Sequence, residues 1–168
     1  MKYMVFLFLF LLNQAVCYAG DRSKAQEALD VFKSLQGKWT TTGKNGEVRS
    51  ATYQVVASGS AVQETFEMGD SENANMITLF HLNGNDLMLT HYCMAQNQPR
   101  MKAISISDDL KEIHFDFMDA TNLLSPEQGH MHKAEFRFVD GDTFVSKWTF
   151  RENGKDKMVE EDTYKRVK

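Results

Sequence analysis

From Gly37 to the last residue, Lys168, the chain carries no sustained helical period. Short runs rich in β-branched and aromatic residues recur instead, each closed by turn-forming residues. Ten such runs can be read: Lys38–Gly43, Glu47–Ala57, Ala61–Met68, Asn75–Leu82, Leu87–Met94, Arg100–Ile106, Glu112–Met118, His130–Val139, Thr143–Arg151 and Met158–Val167. The connections are brief, among them Ser58-Gly59-Ser60, Asn83-Gly84-Asn85 and Asp140-Gly141-Asp142. Brief links between consecutive strands force antiparallel neighbours. That many antiparallel strands leave two exposed edges unless the sheet closes. The predicted fold class is therefore all-β, an up-and-down barrel of about ten strands with one short N-terminal helix.

The helix is predicted from Ser23 as N-cap. Ala25, Ala28, Leu29, Phe32 and Leu35 fall on one face, and Gly37 ends the period. Alternation then says which side of the wall is inside. Ile113, Phe115 and Phe117 oppose His114 and Asp116, Phe136 and Phe138 oppose Glu135 and Arg137, and Phe144, Trp148 and Phe150 oppose Lys147 and Arg151. The inner face is strongly aromatic, as either a packed core or an apolar cavity would be. The two prolines, Pro99 and Pro126, are expected at turns. Tight turns collect at one end of the meander. The longer connections 69–74, 95–99 and 119–129 collect at the other, which reads as a mouth.

The first residues, MKYMVFLFLFLLNQAVCYAG, read as a secretory leader: Lys2, an apolar run from Met4 to Leu12, then small residues with cleavage expected near Ala19. The apolar run is short for a bilayer span, so the mature form is expected not to span a membrane by a helix. Cys17 allows a lipoprotein alternative, although Val16 before it is poorly suited to one. The expected address is periplasmic or extracellular, with a single domain over residues 20–168. That domain keeps one cysteine, Cys93, and so has no internal disulfide. The formal net charge of −4 argues against nucleic acid as a partner. Oligomeric state is not legible.

Gly37-Lys38-Trp39 after a short helix resembles the Gly-x-Trp opening of the lipocalin and fatty-acid-binding barrels. The segments LTHYCMAQNQPRM, DATN and GHMH resemble those of exported bacterial proteins with a lipocalin-like barrel and no defined role. The resemblance implies a calycin-type fold in which the tryptophan plugs one end, and it implies no activity. The strand count is similar to that of nitrobindin, a haem-binding barrel, but no haem-ligating motif can be matched.

Thr90–Met101 concentrates chemistry. With a bend at Gln96–Gln98, Cys93 would lie opposite Met101 and His91 opposite Ala103, which turns His91 and Cys93 inward. His130 and His132 begin the eighth run two residues apart, on the predicted face of Phe136 and Phe138. Asn97, Arg100 and Asn122 would rim the mouth.

The leading reading is non-catalytic binding of a small, largely apolar molecule. Its body would lie on Phe115, Phe117, Phe136, Phe138, Trp148 and Phe150, with His91, Cys93, Arg100, Asn122, His130 and His132 around its polar head. No cofactor is required by that reading. One alternative is a zinc or haem site built from His91, His130 and His132, since His-x-His on a strand projects both rings together. Another is a packed barrel acting through its surface. Catalysis by Cys93 with His91 as base is a weaker option, because nothing in the sequence would orient the base. Glu160, Glu161 and Asp162 read as solvated charge, with a lysine such as Lys147 as partner.

Overall fold

The computed structural model describes residues 22–44, 46–69 and 75–168. The expected leader, with Cys17 and the cleavage position, lies outside the described residues. No helix among the described residues is long and apolar enough to cross a membrane.

Helix α1 spans Lys24–Ser34. Ser23 caps it, its Oγ accepting from the Gln26 amide at 3.2 Å. Ten strands follow: β1 Gly37–Thr42, β2 Val48–Val56, β3 Ala61–Met68, β4 Asn75–Asn83, β5 Asp86–Tyr92, β6 Gln98–Ile106, β7 Glu112–Thr121, β8 His130–Asp140, β9 Thr143–Glu152 and β10 Lys155–Arg166. Each pairs antiparallel with its sequence neighbours, and β10 returns to β1 to close the barrel. The expected fold class is the one formed.

One end is sealed. The apolar stripe of α1, predicted from its spacing, is buried there. Lys24 ties the start of the helix to Asp108 in the β6–β7 turn at 2.6 Å. Phe32 enters the barrel and meets Phe80 at 4.1 Å, Phe136 at 5.1 Å, Phe138 at 5.6 Å and Phe115 at 6.2 Å between ring centroids. Trp39 is fully buried, with its indole N–H donating to the Leu35 carbonyl at 2.6 Å. The Arg166 guanidinium covers the Trp39 ring at 4.2 Å and donates to the carbonyls of Ser34 and Gln36. Helix, first strand and last strand are thereby fastened at one point.

Three expectations about the wall need correction. The β5–β6 turn is made by Cys93–Asn97, not by Gln96–Gln98: the Gln96 amide donates to the Cys93 carbonyl at 3.0 Å and the Cys93 amide to the Asn97 carbonyl at 3.2 Å. Gln96 takes the left-handed conformation (φ 63°) that closes such a loop. Leu89 then faces Met101, so Cys93 opposes Asn97 and not Met101. The displacement is even, which keeps His91 on the inner face. Pro99 lies within β6, opposite Ala120, instead of in the turn. Finally, β8 is irregular between Met131 and Lys133: Met131 faces Phe150, yet Ala134 faces Trp148. One extra residue reverses the alternation. Met131 therefore joins the inner face, while His130 stands opposite Arg151, buried at 3% exposure against Phe117.

Candidate functional site

The predicted aromatic lining divides. Phe115 and Phe136 are buried to within 1% of full coverage, and both pack with Phe138 around Phe32. These three are core at the sealed end and leave no room for a ligand body. Phe150 lies beneath Gly129. A Cβ on Gly129 would stand 2.4 Å from Phe150 Cζ, so any side chain there would force the ring to shift. Phe117 packs on the imidazoles of His130 and His132, at 4.5 and 5.3 Å. Of the six predicted aromatics, Trp148 is the one that lines the interior cavity.

That cavity occupies the open half of the barrel. It measures about 40 Å³ and is bounded by Glu64, Phe66, Met76, His91, Met131, Ser146, Trp148, Glu160, Asp162 and Tyr164. His91 is its most informative member. The ring is 4% exposed and lies 4.8 Å from Trp148. Its Nδ1 pairs with Thr78 Oγ1 at 3.0 Å. Its Nε2 is buried without a hydrogen-bond partner among the described residues. Buried polar atoms are nearly always partnered, so such an atom on a ring that lines a cavity marks a place for another group. Burial depresses the His91 pKa to about 4, which keeps the ring neutral at physiological pH.

His91 ends a polar row that runs across four strands. Tyr53 faces Glu64, Glu64 faces Thr78, and Thr78 faces His91. Tyr53 donates to Glu64 Oε1 at 2.7 Å, and Thr78 also bonds the Glu64 carboxyl. Glu64 is 5% exposed, and burial pushes its pKa up against the effect of the two hydroxyls. Burial, followed by the nearby Glu64, pushes the phenols of Tyr53 and Tyr164 up as well.

On the opposite wall, Glu160 faces Trp148 and Asp162 faces Ser146, so both acids point inward. They share Arg49, itself 8% exposed: Asp162 at 3.0 Å, Glu160 in closer contact. Arg49 also meets Glu47. Burial raises the Asp162 carboxyl, partly offset by Arg49. The expected solvation of Glu160 and Asp162 is thus corrected; Lys147 pairs with Glu135 at 2.9 Å instead. Strand parity carried the missed signal. Glu160 and Asp162 alternate with Tyr164, and Glu64 sits between Val62 and Phe66, all on inner faces.

His130 and His132 form a separate chain under the loop 122–129. The His130 Nδ1–H donates to the Gln128 carbonyl at 2.8 Å, which leaves Nε2 to accept from His132 Nδ1–H at 3.1 Å. His132 Nε2 in turn accepts from Arg151 Nη1 at 2.7 Å. This network assigns the tautomers. All four ring nitrogens are engaged, and a guanidinium occupies the nitrogen of His132 that a cation would need. Burial, then Arg151, lowers the His132 pKa. His91 bounds the interior cavity, while His130 and His132 bound a separate groove with Phe117 and Arg151. Among the described residues no group of three or more His, Cys, Asp or Glu is placed to hold a metal ion.

The remaining candidates fasten loops. Arg100 forms a two-pronged pair with Asp119, at 2.6 and 2.5 Å. Asn122 donates to the Gln96 carbonyl. Asn97, expected at the rim, is fully buried and donates to the Gly129 carbonyl at 2.8 Å. Cys93 packs on the edge of the core, and burial raises its thiol pKa, which works against a thiolate nucleophile. Thr90–Met101 is chiefly a hairpin latched to its neighbours, with His91 as its one contribution to the cavity.

No family model matches the chain, and no curated protein matches it. A solved structure of a protein of unknown function, assigned to the DUF3598 family and from Nostoc punctiforme, is similar over 81% of this chain and 49% of its own, with 12% identity and a TM-score of 0.49. The chain spans about half the length of that protein, and no property is carried over from it.

Proposed function

We propose that this is an exported, non-catalytic binding protein that holds one small molecule in the open half of the barrel. The observation that carries this reading is His91: a neutral imidazole, 4% exposed, with its Nε2 unpartnered among the described residues and its ring bounding a cavity against Trp148. Pockets of this kind combine apolar walls with a few placed polar groups. Phe66, Met76, Met131 and Trp148 supply the walls; His91, Glu64 and Asp162 supply the polar side.

Size narrows the ligand class. Drug-sized ligands occupy roughly 300–1,000 Å³. A cavity of about 40 Å³ suits a molecule of a few heavy atoms, and the packing around Phe32 leaves no space for a long acyl chain. The lipocalin-like kinship belongs to the same proposal: Gly37-Lys38-Trp39 follows the helix, and Trp39 seals the end beside it. The leader pattern supports export.

Native mass spectrometry of the protein exported by a host and purified without chelator or detergent tests the reading. The expected result is a small organic adduct that is absent from a folded His91→Leu variant. An adduct that survives that substitution would overturn the assignment to this cavity.

A further inference from the structure

We propose that the cavity is built for a small organic cation, an alkylammonium whose N–H groups meet His91 Nε2 and the facing carboxylates while its short chain lies against Trp148 and Phe66. This rests on the binding function proposed above and names its ligand class.

The direction of the polar row is the first support. Thr78 has one hydroxyl proton. A cation beside Glu64 favours its ionised form, in which Tyr53 and Thr78 both donate to it and Thr78 accepts from His91 Nδ1–H. His91 Nε2 is then a lone-pair acceptor, and the group that completes it must donate a proton. The second support is charge. Among the described residues no lysine or arginine pairs with Glu64; its partners are hydroxyls. Glu160 and Asp162 bound the same cavity and share the guanidinium of Arg49. An anion entering this space would meet three acidic side chains, and a neutral molecule would do nothing to offset the burial that raises the Glu64 pKa. A cation answers it. The third support is the wall: Trp148 and Phe66 present aromatic surface on which a cation or its attached methylene groups are favoured.

A three-probe titration of the isotope-labelled protein tests this, read at the Trp148 indole and His91 imidazole resonances. The probes are propylammonium, 1-propanol and propionate, similar in size and different in charge. Propylammonium should give a saturable shift, with a Kd about tenfold lower than that of 1-propanol, and propionate should give none. Binding of the ammonium should weaken as pH falls, because the carboxylates take up protons, and should be lost in Glu64→Gln. Asp162→Asn serves as a second variant should Glu64→Gln fail to fold, and should weaken the ammonium alone. Equal or tighter binding of 1-propanol or propionate would overturn the cation and leave the binding function standing. No saturable shift with any probe would overturn both.

Discussion

Thr78 Oγ1 lies 3.0 Å from His91 Nδ1, and the same hydroxyl reaches the Glu64 carboxyl on the neighbouring strand. One proton therefore serves two acceptors. The protonation state of Glu64 decides which of them receives it, and so decides whether His91 Nε2 is a donor or an acceptor. This coupling makes the tautomer of His91 predictable from a residue it does not touch. In Glu64→Gln the new amide donates to Thr78, Thr78 turns its proton to His91 Nδ1, and the ring must carry its proton on Nε2. Long-range proton–nitrogen spectra of the imidazole should show the Nδ1–H form in the wild type with Glu64 ionised and the Nε2–H form in the variant. The same form in both proteins would break the proposed row.

Stability should follow pH with a definite sign. His91 titrates near its usual 6.5 in the unfolded chain and near 4 in the folded one. Between those values the unfolded chain binds more protons, so stability present above pH 6.5 is lost as pH falls toward 4. The His91 contribution is about 3 kcal/mol in full. Glu64, whose folded pKa is raised, acts in the opposite sense: its carboxyl is favoured in the protonated form, and stability is lost as pH rises through its titration. Urea unfolding across this range should therefore show a steeper loss toward acid in Glu64→Gln than in the wild type, since the opposing slope is gone.

Phe32 fills the sealed end that the phenylalanine pattern alone could not distinguish from a pocket. Phe32→Ala should lower stability by about 3–5 kcal/mol, measured by denaturant titration. It should also create an apolar site between Phe80, Phe136 and Phe138, so that benzene raises the Tm of the variant and leaves that of the wild type unchanged. Benzene stabilisation of the wild type would show that the end is hollow.

Cys93 should be a slow thiol. Burial raises its pKa, which leaves little thiolate at neutral pH. Alkylation by iodoacetamide at pH 7.5, followed by intact mass, should run at least about tenfold slower in the folded protein than in urea. Rapid labelling of the folded form would reopen a reactive role.

Fold and site differ in how far the sequence reaches. Alternation in β7 and β9, the spacing of Ala25, Ala28, Leu29 and Phe32, and the tight turns between strands carry the barrel and its helix, because each is local. His91 and Trp148 were also legible, as inward positions on long alternating runs. Alternation alone sets His130 and His132 on the inner face; the structure differs because His132 is the unpaired residue between Met131 and Lys133, which reverses the side chains before it, and no composition signal marks that irregularity. The charge of Glu160 and Asp162 suggests solvation, while their parity with Tyr164 points inward. The row from Tyr53 to His91 is a different case. It exists only in the register of β2 through β5, and register between four strands is set by turns and by the whole core.

A crystal structure at a resolution that separates water from organic density, from protein exported and purified without added ligand, tests the central claim most directly. The account predicts a compact non-water feature in the open half of the barrel, within hydrogen-bonding distance of His91 Nε2 and in contact with the Trp148 ring. A cavity holding only water, or closed by a protein group bonded to His91 Nε2, would contradict it.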